Sequence, residues 1–107
     1  MDFEKFFKEL KKDMATLVAD RFSQEKEDVK NEVTLFLEQS KDKLKRWAQL
    51  LADGLLSPEE FELLLKSQKD LLVLASLHKA GVSKIKIGHF KNAAIKLVVG
   101  KAVSFLI

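Results

Sequence analysis

From Met1 to Asp53 the chain contains neither glycine nor proline. These are the residues that most readily end a helix, so nothing in this half of the sequence forces the backbone out of one. Along it apolar side chains recur at Phe3, Phe7, Leu10, Met14, Val18, Phe22, Val29, Val33, Phe36, Leu44, Trp47 and Leu51. With Glu25 and Ser40 filling the two gaps, the mean step is about 3.7 residues, near the 3.6 of a straight α-helix and the 11-residue repeat. The spacing predicts one helix of about 50 residues, about 75 Å long, with its apolar stripe on one side throughout. The weak point is Asp20 to Asp28, DRFSQEKED, where polar residues dominate and Ser23 offers a cap for a break into two helices.

Leu50 to Glu62, LLADGLLSPEEFE, stops this helix and starts another. Gly54 enters the left-handed conformation without a Cβ clash and so ends the first. Ser57 caps the next, Pro58 suits its first position, and Glu59 and Glu60 meet the positive end of the helix dipole. Ser57 with Glu60 three residues on forms a capping box.

The second helix is predicted from Pro58 to about Lys79, where Ala80-Gly81 supplies another stop. Its apolar residues, Phe61 through Leu77, cover most of its sides, so a third helix or another subunit must cover what one neighbour leaves bare. In residues 82–107, KIKIG alternates and Val98, Val99, Val103 and Ile107 are β-branched. Ala93, Ala94, Leu97 and Ala102, with no strand partner elsewhere, favour a helix starting at about Lys84 or His89. The predicted fold is all-α: a long helical hairpin, about residues 3–52, then 58–79 and about 84–106, in one domain spanning 1–107. The apolar ending AVSFLI is costly in water. Phe105, Leu106 and Ile107 are therefore candidate self-association residues, completing an oligomeric helical bundle or coiled coil, with a dimer as the first expectation.

Charge is unevenly spread. Residues 1–70 carry 13 basic and 16 acidic side chains, a net −3, whereas residues 71–107 carry six lysines and no acid, a net +6. The asymmetry suggests an acidic surface as partner for Lys84, Lys86, Lys91, Lys96 and Lys101, with Lys79 outside that group. That surface is either the acidic first helix, in the same or a second copy, or an external polyanion. With 47% hydrophobic and 33% charged residues the composition is that of a folded soluble chain. There is no cysteine, which excludes disulfides and thiolate metal sites and fits a reducing compartment. The alternating charges of the N-terminus are unlike a signal peptide, and no stretch reaches the roughly 18 to 20 apolar residues needed to span a bilayer. A cytoplasmic protein is expected.

No catalytic constellation is legible. His78 and His89 are the only imidazoles, lie 11 residues apart across a glycine stop, and have no metal-ligand spacing. Gly100-Lys101 lacks the earlier glycine and the following Ser or Thr of a phosphate loop. Glu59-Glu60 is explained by its place in a first turn, and the eight Phe with Trp47 fall mostly on helical stripes. No enzyme activity, cofactor or metal is expected.

Gly54-Leu55-Leu56-Ser57-Pro58-Glu59-Glu60-Phe61 resembles the hairpin of the short C-terminal domain (SHOCT) family, with its Gly, Leu, Ser/Thr, Glu-Glu-Phe pattern. The resemblance covers about a dozen residues and implies a helical interaction or oligomerisation element. Ala80-Gly81-Val82-Ser83 with Ile87 is similar to the turn and recognition-helix start of bacterial helix-turn-helix repressors. That likeness implies DNA binding, although the exposed positions offer no Arg, Gln or Asn before Asn92 to read bases. The leading expectation is a non-enzymatic, self-associating helical interaction or scaffold module. The alternatives are a nucleic-acid binder using the basic C-terminal third and an amphipathic helix lying on an anionic membrane surface.

Overall fold

The computed structural model describes residues 2–106. Among them there is no strand, and six α-helices follow in order: α1 (Phe3–Arg21), α2 (Lys26–Gln39), α3 (Lys41–Ala52), α4 (Pro58–Gln68), α5 (Ala75–Lys79) and α6 (Lys84–Leu106). The all-α expectation holds. The unbroken first rod does not.

α1 starts on Asp2, whose side chain accepts from the Lys5 N–H at 3.1 Å, and buries Phe3, Phe6, Phe7, Leu10, Met14 and Val18. At Phe22 the backbone turns extended, with φ −131° and ψ 144°, and α2 folds back. Lys11 pairs with Glu38 at 2.7 Å and Glu4 with Lys41 at 3.2 Å, so early residues of α1 meet late ones and the two segments run antiparallel. The predicted rod of about 75 Å is replaced by a body of 43 × 23 × 21 Å. The reason is energetic. Val29 and Val33 of the stripe, with Leu37 in place of Phe36, reach the core by folding onto α1, burial that a continuous rod would leave to the return arm or a second chain. Phe22 keeps its place in the stripe but holds the corner, buried edge-to-face against Phe90 with ring centroids 5.2 Å apart.

Ser40 alone separates α2 from α3. α3 buries Leu44, Ala48 and Leu51 and ends as the sequence predicts. Gly54 has φ +75°, its N–H donates to Leu51 O at 3.2 Å, and the Leu55 N–H donates to Leu50 O at 2.9 Å. These are the two bonds of a Schellman motif. The capping box forms in full: Ser57 Oγ accepts from the Glu60 N–H at 3.1 Å, and Glu60 Oε1 accepts from the Ser57 N–H at 3.0 Å.

The second helix is shorter than predicted. It stops at Gln68, not Lys79, and a single 3-10 turn, Lys69–Leu71, leads into extended backbone. Leu72 and Leu74 are buried while Leu71 and Val73 are exposed. Extended backbone sends alternate side chains to opposite faces, so this run puts two apolar groups inward where a helix would spread four around its circumference. α5 then forms one short turn ended by a second Schellman motif at Gly81, φ +78°, with Val82 N–H donating to Leu77 O at 3.0 Å.

Ser83 caps α6, its Oγ accepting from the Lys86 N–H at 3.2 Å, and the helix runs from Lys84 to Leu106 as expected. It lies antiparallel to α1, as the pairs Phe6–Phe105, Asp13–Lys101 and Phe22–Phe90 require. It also packs on α3, α4 and the 3-10 turn, which suits a helix apolar on most of its sides. The radius of gyration, 13.7 Å, is close to the roughly 13 Å of a compact chain this long. Among the described residues no charged or polar side chain is buried.

Candidate binding cleft

The five lysines expected to meet an acidic surface sit at different places around α6. At about 100° per residue, Lys91 and Lys101 fall inside the buried arc of α6 that runs from Phe90 through Ala94 and Val98 to Ile95, with Lys86 beside it and Lys96 opposite. Lys84 sits exposed in the first turn. Lys101 meets two carboxylates of the chain's own first helix, 2.6 Å from Asp13 and 3.6 Å from Glu9. The hydrogen bond to Asp13 raises its pKa above the usual lysine value. Lys86 lies over the Phe22 ring at 5.9 Å. Of the expected self-association residues, Phe105 is half-buried with its ring 6.0 Å from that of Phe6, and Leu106 packs against the core. Ile107 lies outside the described residues.

A different site emerges where α2, α3, α4 and α6 meet over Met14 of α1. An apolar cleft of about 50 Å³ opens there to solvent. Val33, Phe36 and Leu37 of α2 wall one side, Leu44 and Trp47 of α3 another, and Leu65, Leu72, Ala94, Ile95 and Val98 close the floor and far wall. Phe36 and Trp47 are half-buried, so their rings border the opening. Ser40, Gln68, Lys69 and Lys91 complete the lining, yet its wall is almost wholly apolar. The two lysines therefore contribute their aliphatic stems and carry their ammonium groups out to the rim. Lys69 Nζ donates to Asn92 Oδ1 at 3.2 Å, and Lys43 Nζ to Gln68 Oε1 at 3.2 Å. Among the described residues no Asp or Glu lines the cleft.

Left empty, a cavity this size costs about 1 kcal/mol in lost contacts, at roughly 24 cal/mol per Å³. Water gains little there, because it needs polar partners that the wall does not offer. The chemistry available is apolar capture beneath a cationic rim. Sequence reasoning missed the site because its walls come from five helices whose mutual placement the pattern does not encode. Two local signals were present: Ala94, a small residue on the buried arc of α6, and Lys91, a cation inside that same arc.

His78 and His89 are both exposed, and among the described residues no three His, Asp or Glu side chains gather to hold a metal ion. Among the described residues no helix is long and apolar enough to cross a membrane. Comparison of the chain with protein-family models, curated proteins and solved structures finds no match.

Proposed function

We propose that this chain is a non-enzymatic helical binding module that takes an apolar group from its partner into the cleft among α2, α3, α4 and α6. One observation carries this: an open apolar cleft, bordered by Phe36 and Trp47, that reaches the buried residues of the core. Half-exposed aromatic rings around an apolar floor are typical of sites that bind by desolvation. The scattering of Lys84, Lys86, Lys91 and Lys96 around α6 favours such a partner over duplex nucleic acid or an anionic membrane, which need cations on one face.

Trp47 is the only tryptophan and borders the cleft, so it reports occupancy directly. Titration with 1-octanol, a neutral apolar probe, is expected to shift its emission saturably. Ala94→Leu, and independently the smaller filling change Val33→Ile, are expected to abolish that shift while each protein still melts cooperatively. A wild-type emission unmoved by the probe, or a shift that survives both fillings, overturns the proposal.

Self-association is the second reading. Its support is four large apolar side chains left exposed between Gly54 and Ala75: Leu55 at 73%, Leu63 at 66%, Leu71 at 61% and Val73 at 66%. A strict monomer by light scattering at tens of micromolar would remove it.

A further inference from the structure

We infer that the cleft is a site for an aliphatic carboxylate, its hydrocarbon end among Leu44, Ala94 and Val98 and its carboxylate at the rim that Lys69 and Lys91 form. The inference rests on the binding-module proposal and adds the class of ligand to it.

Size selects the shape of the buried end. The cleft has about 50 Å³, a third of the roughly 150 Å³ in which an apolar protein cavity holds benzene. A slim alkyl terminus enters; a ring does not. The wall selects the chemistry of that end, because it is almost wholly apolar and turns too little polar surface inward to satisfy a sugar or a base.

Charge selects the head. The chain has 16 acidic side chains, yet none lines the cleft. Among the described residues the ion pairs involve Lys11, Lys41, Lys66 and Lys101, and neither Lys69 nor Lys91 joins one. Lys69 is nonetheless held in place, through Asn92 at 3.2 Å. Lys91 is half-buried inside the packed arc of α6. Two cations without counter-ions beside an apolar opening favour a ligand carrying one negative charge next to its hydrocarbon. A cationic amphiphile would meet repulsion there, and a neutral one would gain only the burial.

The test uses the full chain at neutral pH, with Trp47 emission as readout and three probes of one chain length: octanoate, 1-octanol and octylamine. Octanoate is expected to bind several-fold more tightly than 1-octanol and octylamine more weakly, with the gap closing as salt is raised. Lys69→Gln and Lys91→Gln, each checked for an unchanged melting curve and combined in a double variant, are expected to bring octanoate to the level that 1-octanol shows on the same variant. Octanoate no tighter than 1-octanol, with 1-octanol still bound, overturns the carboxylate inference and leaves the binding module standing. Octanoate affinity unchanged in the double variant does the same. No binding of any probe, or binding that persists in Ala94→Leu, overturns both.

Discussion

The carboxylate of Glu32, midway along α2, accepts two hydrogen bonds from Ser76 in the first turn of α5: one from its N–H at 3.0 Å and one from Oγ at 2.8 Å. A helix of five residues cannot hold itself together in water, and its first N–H groups need acceptors from elsewhere. Glu32 supplies them from 44 residues away, in the manner of a helix cap reached across the fold. Glu32→Ala is expected to destabilise the protein by about 1 to 2 kcal/mol, the lower end of what hydrogen bonds to a charged group contribute, since the site is only part-buried. Hydrogen exchange should locate the effect, with amides of Leu77 and His78 losing protection before those of α1. Equal loss across the molecule would show that α5 is not the element Glu32 secures.

The capping box of α4 gives a pH prediction. The Ser57 N–H donating to Glu60, reinforced by the Ser57 side chain, holds the Glu60 carboxyl below the usual carboxylate range. A carboxyl whose pKa is lower folded than unfolded stabilises the fold fully above its unfolded value, about 4.3, and loses that contribution as pH falls through the folded value. Wild type and Glu60→Gln should therefore differ most in urea midpoint near neutrality, with the gap closing below about pH 4. Ser57→Ala removes the other half of the box and should cost about 1 kcal/mol at neutral pH.

How much of this was legible beforehand divides along a physical line. Gly54, Ser57, Pro58, Glu60, Gly81 and Ser83 act through their own backbone and its nearest neighbours, and the structure places each in the turn or cap its chemistry implies. The bounds of α6 follow for the same reason. Phe22 and Leu72 through Leu74 behave otherwise. Each leaves helical geometry because burial against a distant partner outweighs local preference: Phe22 on Phe90, Leu72 and Leu74 in the core. Periodicity counts which residues are apolar and cannot say whether their partner is a second chain or the same one returning. The cleft was least visible of all, since a void is a property of how side chains from five helices fail to meet.

Four glycines fall into two pairs with opposite expected responses. Gly54 and Gly81 have φ of +75° and +78°, and a Cβ at either would meet nothing within 4 Å, so any cost of substitution is conformational. Gly54→Ala and Gly81→Ala should each destabilise by about 1 to 2 kcal/mol. Gly88 and Gly100 lie inside α6, also with open space around a Cβ. Gly88→Ala and Gly100→Ala should each stabilise by about 0.5 to 1 kcal/mol through helix propensity. Thermal melts of the four single variants check the signs.

The return of α2 along α1 is open to a chemical test, because its ion pairs place amines against carboxylates from distant parts of the chain. Lys11 Nζ is 2.7 Å from Glu38, and Lys101 Nζ is 2.6 Å from Asp13. A carbodiimide joins such pairs as an amide with no spacer, so only groups already in contact are linked. On a continuous first rod about 27 residues of helix, some 40 Å, would separate Lys11 from Glu38, and any link between them would have to join two chains. The folded-back arrangement instead predicts a Lys11–Glu38 amide within single chains, recovered from the monomer band alongside an Asp13–Lys101 amide that reports α6 on α1. Their yield should not change on tenfold dilution, since both groups belong to one molecule. Phe22→Ala, which strips the corner of its packing on Phe90, should lower the Lys11–Glu38 yield and cost about 3 to 5 kcal/mol of stability. Links found only in a dimer band, and fading on dilution, would restore the rod.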